Sequence, residues 1–554
     1  MEQGRVFLAI AISFLIFLVW NFFFVENKSP QPNLKRAATE TAPKEAVPQK
    51  PIEPAPAKPL STKDVQAAPS VSERAARTLH IETPLYALSL SENKAVVKRF
   101  TLKHYSESIE KDSPRKILIS EENPFGTVLV GFEQKTVDGF DSAVFSADST
   151  IDPISVTDAE KTITFSWQSP EGMVVEKRYT FSPKSYRIGL KVVLKNGSKG
   201  IWKDNVTLSL YRKLEENKGR AVGFEGPSAK INNSVEEVEI KKIKDKPLSP
   251  GSVKWWGIED RYFMSAAVPP DNNDGQVKFF TRENRVIEAQ YLQPAMTIEP
   301  QGEQRFDYYL FLGPKSMKVL KEVGYDLDEA VNFGLFDFIA KPCVWLMNQI
   351  YQVIPNYGIA IIILTLLSKI ILWPLGNKSY KSMSDMKKLQ PLMAEIREKY
   401  KSDKKKQQQE IMSLYRTYKI NPVGGCLPMI AQIPVFFALY RMLYEAIELR
   451  HAPFFGWITD LSAPDRLFRF GFTVPFMQPP YGIPVLTLVM GATMLIQQKM
   501  SPPPGDPGQA KMMMLMPVVF TVIFINFSSG LVLYWLVNNL LSIGQQYYVT
   551  KKRA

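Results

Sequence analysis

The sequence is poor in the residues that most often carry catalysis. Its 554 residues include two cysteines and three histidines. Cys343 lies just before one long apolar run and Cys426 at the start of the next. On the topology read below they fall near opposite faces of a membrane, too far apart to bridge, so no disulfide is expected. No His/Cys cluster has metal-ligand spacing, and neither a G-x-S-x-G elbow nor a phosphate loop occurs. His80 and His104 have no partner constellation and read as surface residues. The expectation is therefore a protein that is not an enzyme, with no catalytic residue, no metal and no cofactor. Internal repeats are also missing. Without a second copy of the segment around Lys369, a secondary transporter of a small anionic solute is the weaker alternative.

What is present in excess is positive charge, a formal +13. In a soluble protein this would suggest nucleic acid. Here the charge lies in a Pro-rich segment near the start and in a loop between apolar runs, so membrane topology explains it first and DNA is not an expected partner. Residues 6–25 form an apolar run that ends in NFFFVENK without a small-residue cleavage pattern, which favours an uncleaved anchor over a signal peptide. Residues 26–77 follow as a linker with nine prolines and no apolar periodicity.

From Thr78 to about Pro314 the pattern alternates with period two. Ile163, Phe165 and Trp167 alternate with Thr162, Thr164 and Ser166, and Ile188, Leu190, Val192 and Leu194 line one face. Turn sequences such as KNGSKG separate these runs, and an all-β sandwich is expected. Residues 327–339, LDEAVNFGLFDFI, mix aromatics with acids and are too short to span. An interfacial amphipathic helix and a domain-capping helix both fit there.

The second half reads as a multi-pass α-helical membrane protein. Counting the anchor, six spans are expected: 1–25, 356–376, 422–447, 481–500, 512–527 and 528–549, the last five forming a helical core. The other expected boundaries are a β domain at 78–318, an interfacial helix and connector at 319–355, an outer loop at 448–480, a cytoplasmic loop at 501–511 and a basic tail at 550–554. The loop 377–421 holds twelve Lys/Arg against five Asp/Glu, which places it inside with both termini and leaves the β domain outside. Within it, Met386, Leu389, Met393, Ile396 and Tyr400 make one helical stripe, and Ile411, Leu414, Tyr415 and Tyr418 a second. A helical hairpin is expected, started or kinked at Pro391, with Lys404, Lys405 and Lys406 at its tip. That tip suits RNA, anionic lipid or acidic proteins; a solvated loop that only sets topology fits equally well.

Several spans carry polar side chains in their cytoplasmic halves: Thr365, Ser368 and Lys369, then Gln432, then Thr493, Gln497 and Gln498, then Asn538, Asn539, Ser542, Gln545 and Gln546. For Gln432 or Asn538 singly, hydrogen-bond glue between helices is the simpler reading. Lys369 differs, because no Asp or Glu lies in any span at its depth. An unpaired cation among hydroxyls and amides describes a wet site that attracts anionic groups. Fourteen of the twenty methionines fall between Met383 and Met516, a composition suited to adaptable apolar surfaces.

The segments NYGIAIIILTLLSKIILWPL, LQPLMAEIREKY, NPVGGCLPMIAQIPVFFALYRML, QQKMSP and MPVVFTVIFINFSSGLVLYWLVNNLLSIGQQ closely resemble the YidC membrane protein insertases of Gram-negative bacteria. The resemblance covers essentially the whole chain. It implies a β-supersandwich in the periplasm and a hydrophilic groove open to cytoplasm and lipid but closed to the periplasm. It implies residence in the inner membrane and partners that are nascent membrane proteins, the lipid bilayer, the Sec translocon, and a ribosome or signal-recognition pathway met through the hairpin and basic tail. The family's groove cation is usually Arg; here Lys369 stands in its place, a departure because Lys lacks the guanidinium fork. The groove lining is expected from Thr365, Ser368, Gln432, Asn538 and Asn539. The client-contacting apolar face is expected from Trp373, Met429, Tyr534 and Trp535.

Overall fold

A computed structural model describes residues 75–213, 224–244, 251–270, 274–419, 427–501 and 507–551. The anchor at 1–25, most of the linker, Cys426, residues 502–506 of the expected 501–511 loop and the last residues of the tail lie outside the described residues, as do the side chains of Lys404 and Met429; residues 507–511, expected in that loop, are helical.

Strands fill Thr78–Pro314. The alternation read in the sequence has the expected cause. In Arg187–Asn196 the residues Ile188, Leu190, Val192 and Leu194 are buried, and the strand pairs antiparallel with Met173–Phe181 on one side and Glu303–Pro314 on the other. These three belong to a nine-stranded sheet, ordered Ser234–Glu237, Gly226–Ile231, Val253–Glu259, Phe263–Val268, Glu303–Pro314, Arg187–Asn196, Met173–Phe181, Lys161–Gln168 and Ser146–Ala147. A five-stranded sheet built around Val96–Ser106 and a four-stranded sheet built around Val206–Lys213 and Val286–Leu292 pack on it. Fully buried Trp256 joins two layers. Its ring stacks on Tyr291 at 4.7 Å and its indole N–H donates to the Ala289 carbonyl at 3.2 Å. Lys177 joins the other pair. Its ammonium, wholly buried, donates to the carbonyls of Ala95 at 2.6 Å, Val128 at 2.9 Å and Lys94 at 3.3 Å. Burial pushes this lysine down to about 7.

The helical part begins with α1 (Met317–Val323) and α2 (Asp337–Val353), followed by α3 (Tyr357–Lys388), α4 (Gln390–Lys399), α5 (Lys404–Thr417), α6 (Leu427–Glu445), α7 (Val485–Met500), α8 (Pro507–Phe524) and α9 (Ser529–Lys551). Three expectations are corrected. The segment 327–339 is two short 3-10 turns, Leu327–Ala330 and Gly334–Phe336, and the amphipathic helix is α2. Gly334, with φ of 81°, breaks the earlier pattern, and α2 buries Ala340, Val344 and Met347 at helical spacing through Pro342. Second, Tyr481–Ile483 is not the start of a span. It is a strand paired with Leu467–Phe470, and the helix starts beyond Pro484. Third, α3 does not close at Trp373–Pro374 but continues to Lys388. Pro374 removes one helical hydrogen bond. The following residues stay helical, and there Gly376 sits flush against Gln545 of α9, whose amide donates to Asn377 Oδ1 at 3.0 Å. Among the described residues α3 is the one helix of at least 18 residues that is apolar enough to cross a membrane, with a window of mean hydropathy 2.2.

The β region and the helices meet through charged side chains. The Arg261 guanidinium donates to the Tyr444 carbonyl at the end of α6 and lies 3.4 Å from the centre of its ring. Arg450 donates to the Ser106 carbonyl at 2.6 Å. Lys315 pairs with fully buried Glu259 at 2.5 Å. Nearby, burial and then the charge of Glu259 push Glu237 up to about 7.

Candidate functional site

The site grows from α3. Asn356 caps its start, its side chain accepting from the Ile359 N–H at 3.1 Å. Thr365, Lys369 and Gly376 then recur at four and seven residues, which puts them on one face of the helix. All three are buried, and Lys369 is 9% exposed. The opposite face, Leu366, Ile370 and Ile371, is exposed. On α9, Asn538, Ser542 and Gln545, spaced four and three residues apart, also share one face and meet that buried face.

The contacts are specific. Lys369 Nζ donates to Ser542 Oγ at 2.7 Å and to Asn538 Oδ1 at 3.3 Å. Gln432 Nε2 donates to the same Asn538 oxygen at 2.7 Å, which brings α6 into the cluster. Gln545 Nε2 donates to the Trp373 carbonyl at 3.1 Å, tying α9 to α3 beside Pro374. Among the described residues no carboxylate forms an ion pair with Lys369. Its charge is met by a hydroxyl and an amide, so an anion arriving there would meet a cation without a fixed counter-ion.

Other expected lining residues are placed differently. Thr365 Oγ1 donates to the Ile361 carbonyl at 2.7 Å, and Ser368 Oγ to the Thr365 carbonyl at 2.8 Å, so both hydroxyls turn back onto α3. Asn539 points to α7, where its amide donates to Thr493 Oγ1 at 3.2 Å. Trp535 sits in an aromatic cluster with Phe436 at 4.7 Å and Phe524 at 5.1 Å, and Tyr534 is buried beside it. Trp373 is partly exposed. Asn377 is a polar partner that sequence reasoning missed, because it lay beyond the assumed end of the span; it stands eight residues after Lys369, one turn past Trp373.

At the other expected site, α4 and α5 fold back on each other. The Tyr415 hydroxyl lies 3.5 Å from Met393 Sδ, and the Gln407 amide donates to the Arg397 carbonyl at 2.9 Å. Asp403 caps α5, accepting from the Lys405 and Lys406 N–H groups at 3.1 and 3.0 Å. Both lysines are exposed at the tip, Lys406 over the Tyr400 ring.

Residues 78–346 match the family model of the YidC periplasmic domain, and residues 349–554 match that of the 60Kd inner membrane protein. The membrane protein insertase YidC of Syntrophus aciditrophicus (strain SB) is 39% identical over 99% of both chains. That of Syntrophobacter fumaroxidans is 39% identical over 99% of this chain and 100% of its own. A crystal structure of an active YidC insertase aligns with 86% of this chain and 93% of its own at 20% identity and a TM-score of 0.37. The sequence relationships extend over the β-rich region and the helical region together, and the chain belongs to the YidC family of inner-membrane protein insertases.

Proposed function

We propose that this insertase moves the polar part of its clients along the seam between α3 and α9, with Lys369 as its charged floor. The observation that carries this is a nearly covered ammonium on an apolar helix whose partners, Ser542 and Asn538, are both neutral. The 3.3 Å contact to Asn538 is the weaker one. A client carboxylate passing at ~8 Å is drawn by the ammonium while Asn538 keeps Gln432, so the polar segment exchanges bulk water for protein partners at low cost. The apolar client segment then moves into lipid along Trp373 and Met429, with Tyr534 and Trp535 behind. Each buried methylene contributes about 0.8 kcal/mol of driving force.

The topology in this reading is six spans with both termini and the α4–α5 hairpin in the cytoplasm and the β domain in the periplasm, the helices having the limits given above in place of those read from the sequence. The 16 residues of α7 rise about 24 Å, less than a bilayer core of about 30 Å, so the bilayer thins locally and the client's path shortens. Lys404, Lys405 and Lys406 meet acidic or phosphate-rich partners such as a ribosome, and the chain works alone or beside the Sec translocon. Site-directed crosslinking from Gln432 and Trp373 to a stalled nascent membrane protein tests the route. Adducts at both positions are expected; their absence during productive insertion refutes it.

A further inference from the structure

The loop between α6 and α7 ends in a small hairpin, Leu467–Phe470 paired with Tyr481–Ile483. Its apolar side chains point away from the protein. Phe468 is 69% exposed, Phe472 64% and Phe476 81%. Phe472 stacks on Phe470 at 5.1 Å. Phe468 sits at a register shift with φ of 52°, and Phe476 has φ of 61°. Left-handed backbone is uncommon for such side chains, and here it belongs to two of the three exposed rings. Three exposed aromatics within nine residues of one loop mark an interaction surface.

The hairpin is fixed to the ends of two helices. Asp465 caps α7, accepting from the Leu486 N–H at 2.8 Å and the Thr487 hydroxyl at 3.0 Å. At the end of α8, the Ile525 carbonyl accepts from Arg466 at 2.9 Å, and the Asn526 side chain bonds the Gln478 N–H and the Phe476 carbonyl, each at 2.8 Å. The exposed apolar surface continues from Ile483 into Leu488 and Val489 of α7. Residues 466–483 contain Arg466 and Arg469 and no acid.

From this placement we propose that the hairpin is a membrane paddle: Phe468, Phe472 and Phe476 seat in the acyl-chain boundary of the leaflet facing the β domain. The occupant is lipid because the patch joins the apolar face of α7 and carries only positive charge, which suits anionic headgroups. The rings would reach about 5–10 Å below the headgroups. The paddle fixes how α7 and α8 enter the bilayer. The proposal rests on the reading that α7 crosses the membrane, and its test separates the two.

Full-length protein with Cys343 and Cys426 replaced by Ser is given single cysteines by F468C, F472C, F476C, L488C or I151C. Each carries a nitroxide label and is reconstituted in phosphatidylethanolamine/phosphatidylglycerol vesicles. Collision with oxygen relative to a water-soluble nickel chelate reports depth. Ile151, exposed on the β domain, is the aqueous reference. The expected result is a several-fold higher oxygen-to-nickel ratio at the three phenylalanine positions than at Ile151. A ratio equal to that of Ile151, with Leu488 still lipid-exposed, overturns the paddle and leaves the span intact. Shielding from both reagents also overturns it, in favour of a protein partner or a second copy. An aqueous Leu488 overturns the span and the paddle with it.

Discussion

Replacing Lys369 by Met tests the insertion route most directly. Asn538 Oδ1 keeps the Gln432 amide at 2.7 Å, and Ser542 Oγ still donates to the Asn538 carbonyl at 2.7 Å. No acceptor is left alone, so the fold is expected to hold, with a loss below the 1–3 kcal/mol of an orphaned buried group. What disappears is the attraction for a client carboxylate. At a separation of ~8 Å and an effective dielectric constant of about 20, that attraction is worth about 2 kcal/mol, or roughly thirtyfold in rate or occupancy. Lys369→Arg keeps it. Lys369→Glu inverts it, for a total swing of about 4 kcal/mol against an acidic client. The assay is insertion into proteoliposomes of two matched clients, one with Asp and one with Asn in the translocated segment. The Asp client is expected to lose roughly thirtyfold with Met and more with Glu, and the Asn client little. Equal losses for both clients would show that Lys369 is structural. No loss for either would show that it only marks topology.

Other consequences are open to measurement. Lys315→Met leaves Glu259 buried without its counter-ion, and a destabilisation of about 3–5 kcal/mol is expected in denaturant titration, largely recovered by adding Glu259→Gln. Lys177 is held near 7 when folded against 10.5 when exposed, so the unfolded chain binds the extra proton between those values; stability of the β region should rise with pH from about 7 towards 10.5, and a flat profile, or one that Lys177→Met leaves sloped, refutes this cause. At the crossing of α7 and α8, a Cβ on Gly491 would overlap the Thr521 hydroxyl; Gly491→Val should lower the thermal midpoint in detergent, by about 1–3 kcal/mol of overpacking, whereas Gly544→Val, with open space around it, should not.

The helix ends show where sequence reasoning stops. Pro374 reads as a terminator on local grounds, yet the helix runs on, and its continuation packs on Gln545, 169 residues after Gly376. The hairpin strand Tyr481–Ile483 is as apolar as the helix that follows it, so hydropathy merges the two; its partner strand decides. Lys177 gave no signal at all. Its acceptors are main-chain carbonyls 49 to 83 residues away, and a carbonyl has no side-chain identity to read. In the seam, polar composition at matched depth marked Lys369, Asn538 and Ser542 together with Thr365 and Ser368, but the last two turned their hydroxyls onto their own helix, a rotamer choice that composition does not encode.

Sequence by itself determined the division into an alternating β region and an apolar helical region, because both periods are local and set by burial. It also determined the family and the presence of one cation that no acid in the apolar runs could neutralise. Tertiary structure alone decided what holds that cation. Asn538 and Ser542 lie 169 and 173 residues from Lys369, and their distances depend on how α3 and α9 pack, which no local pattern specifies.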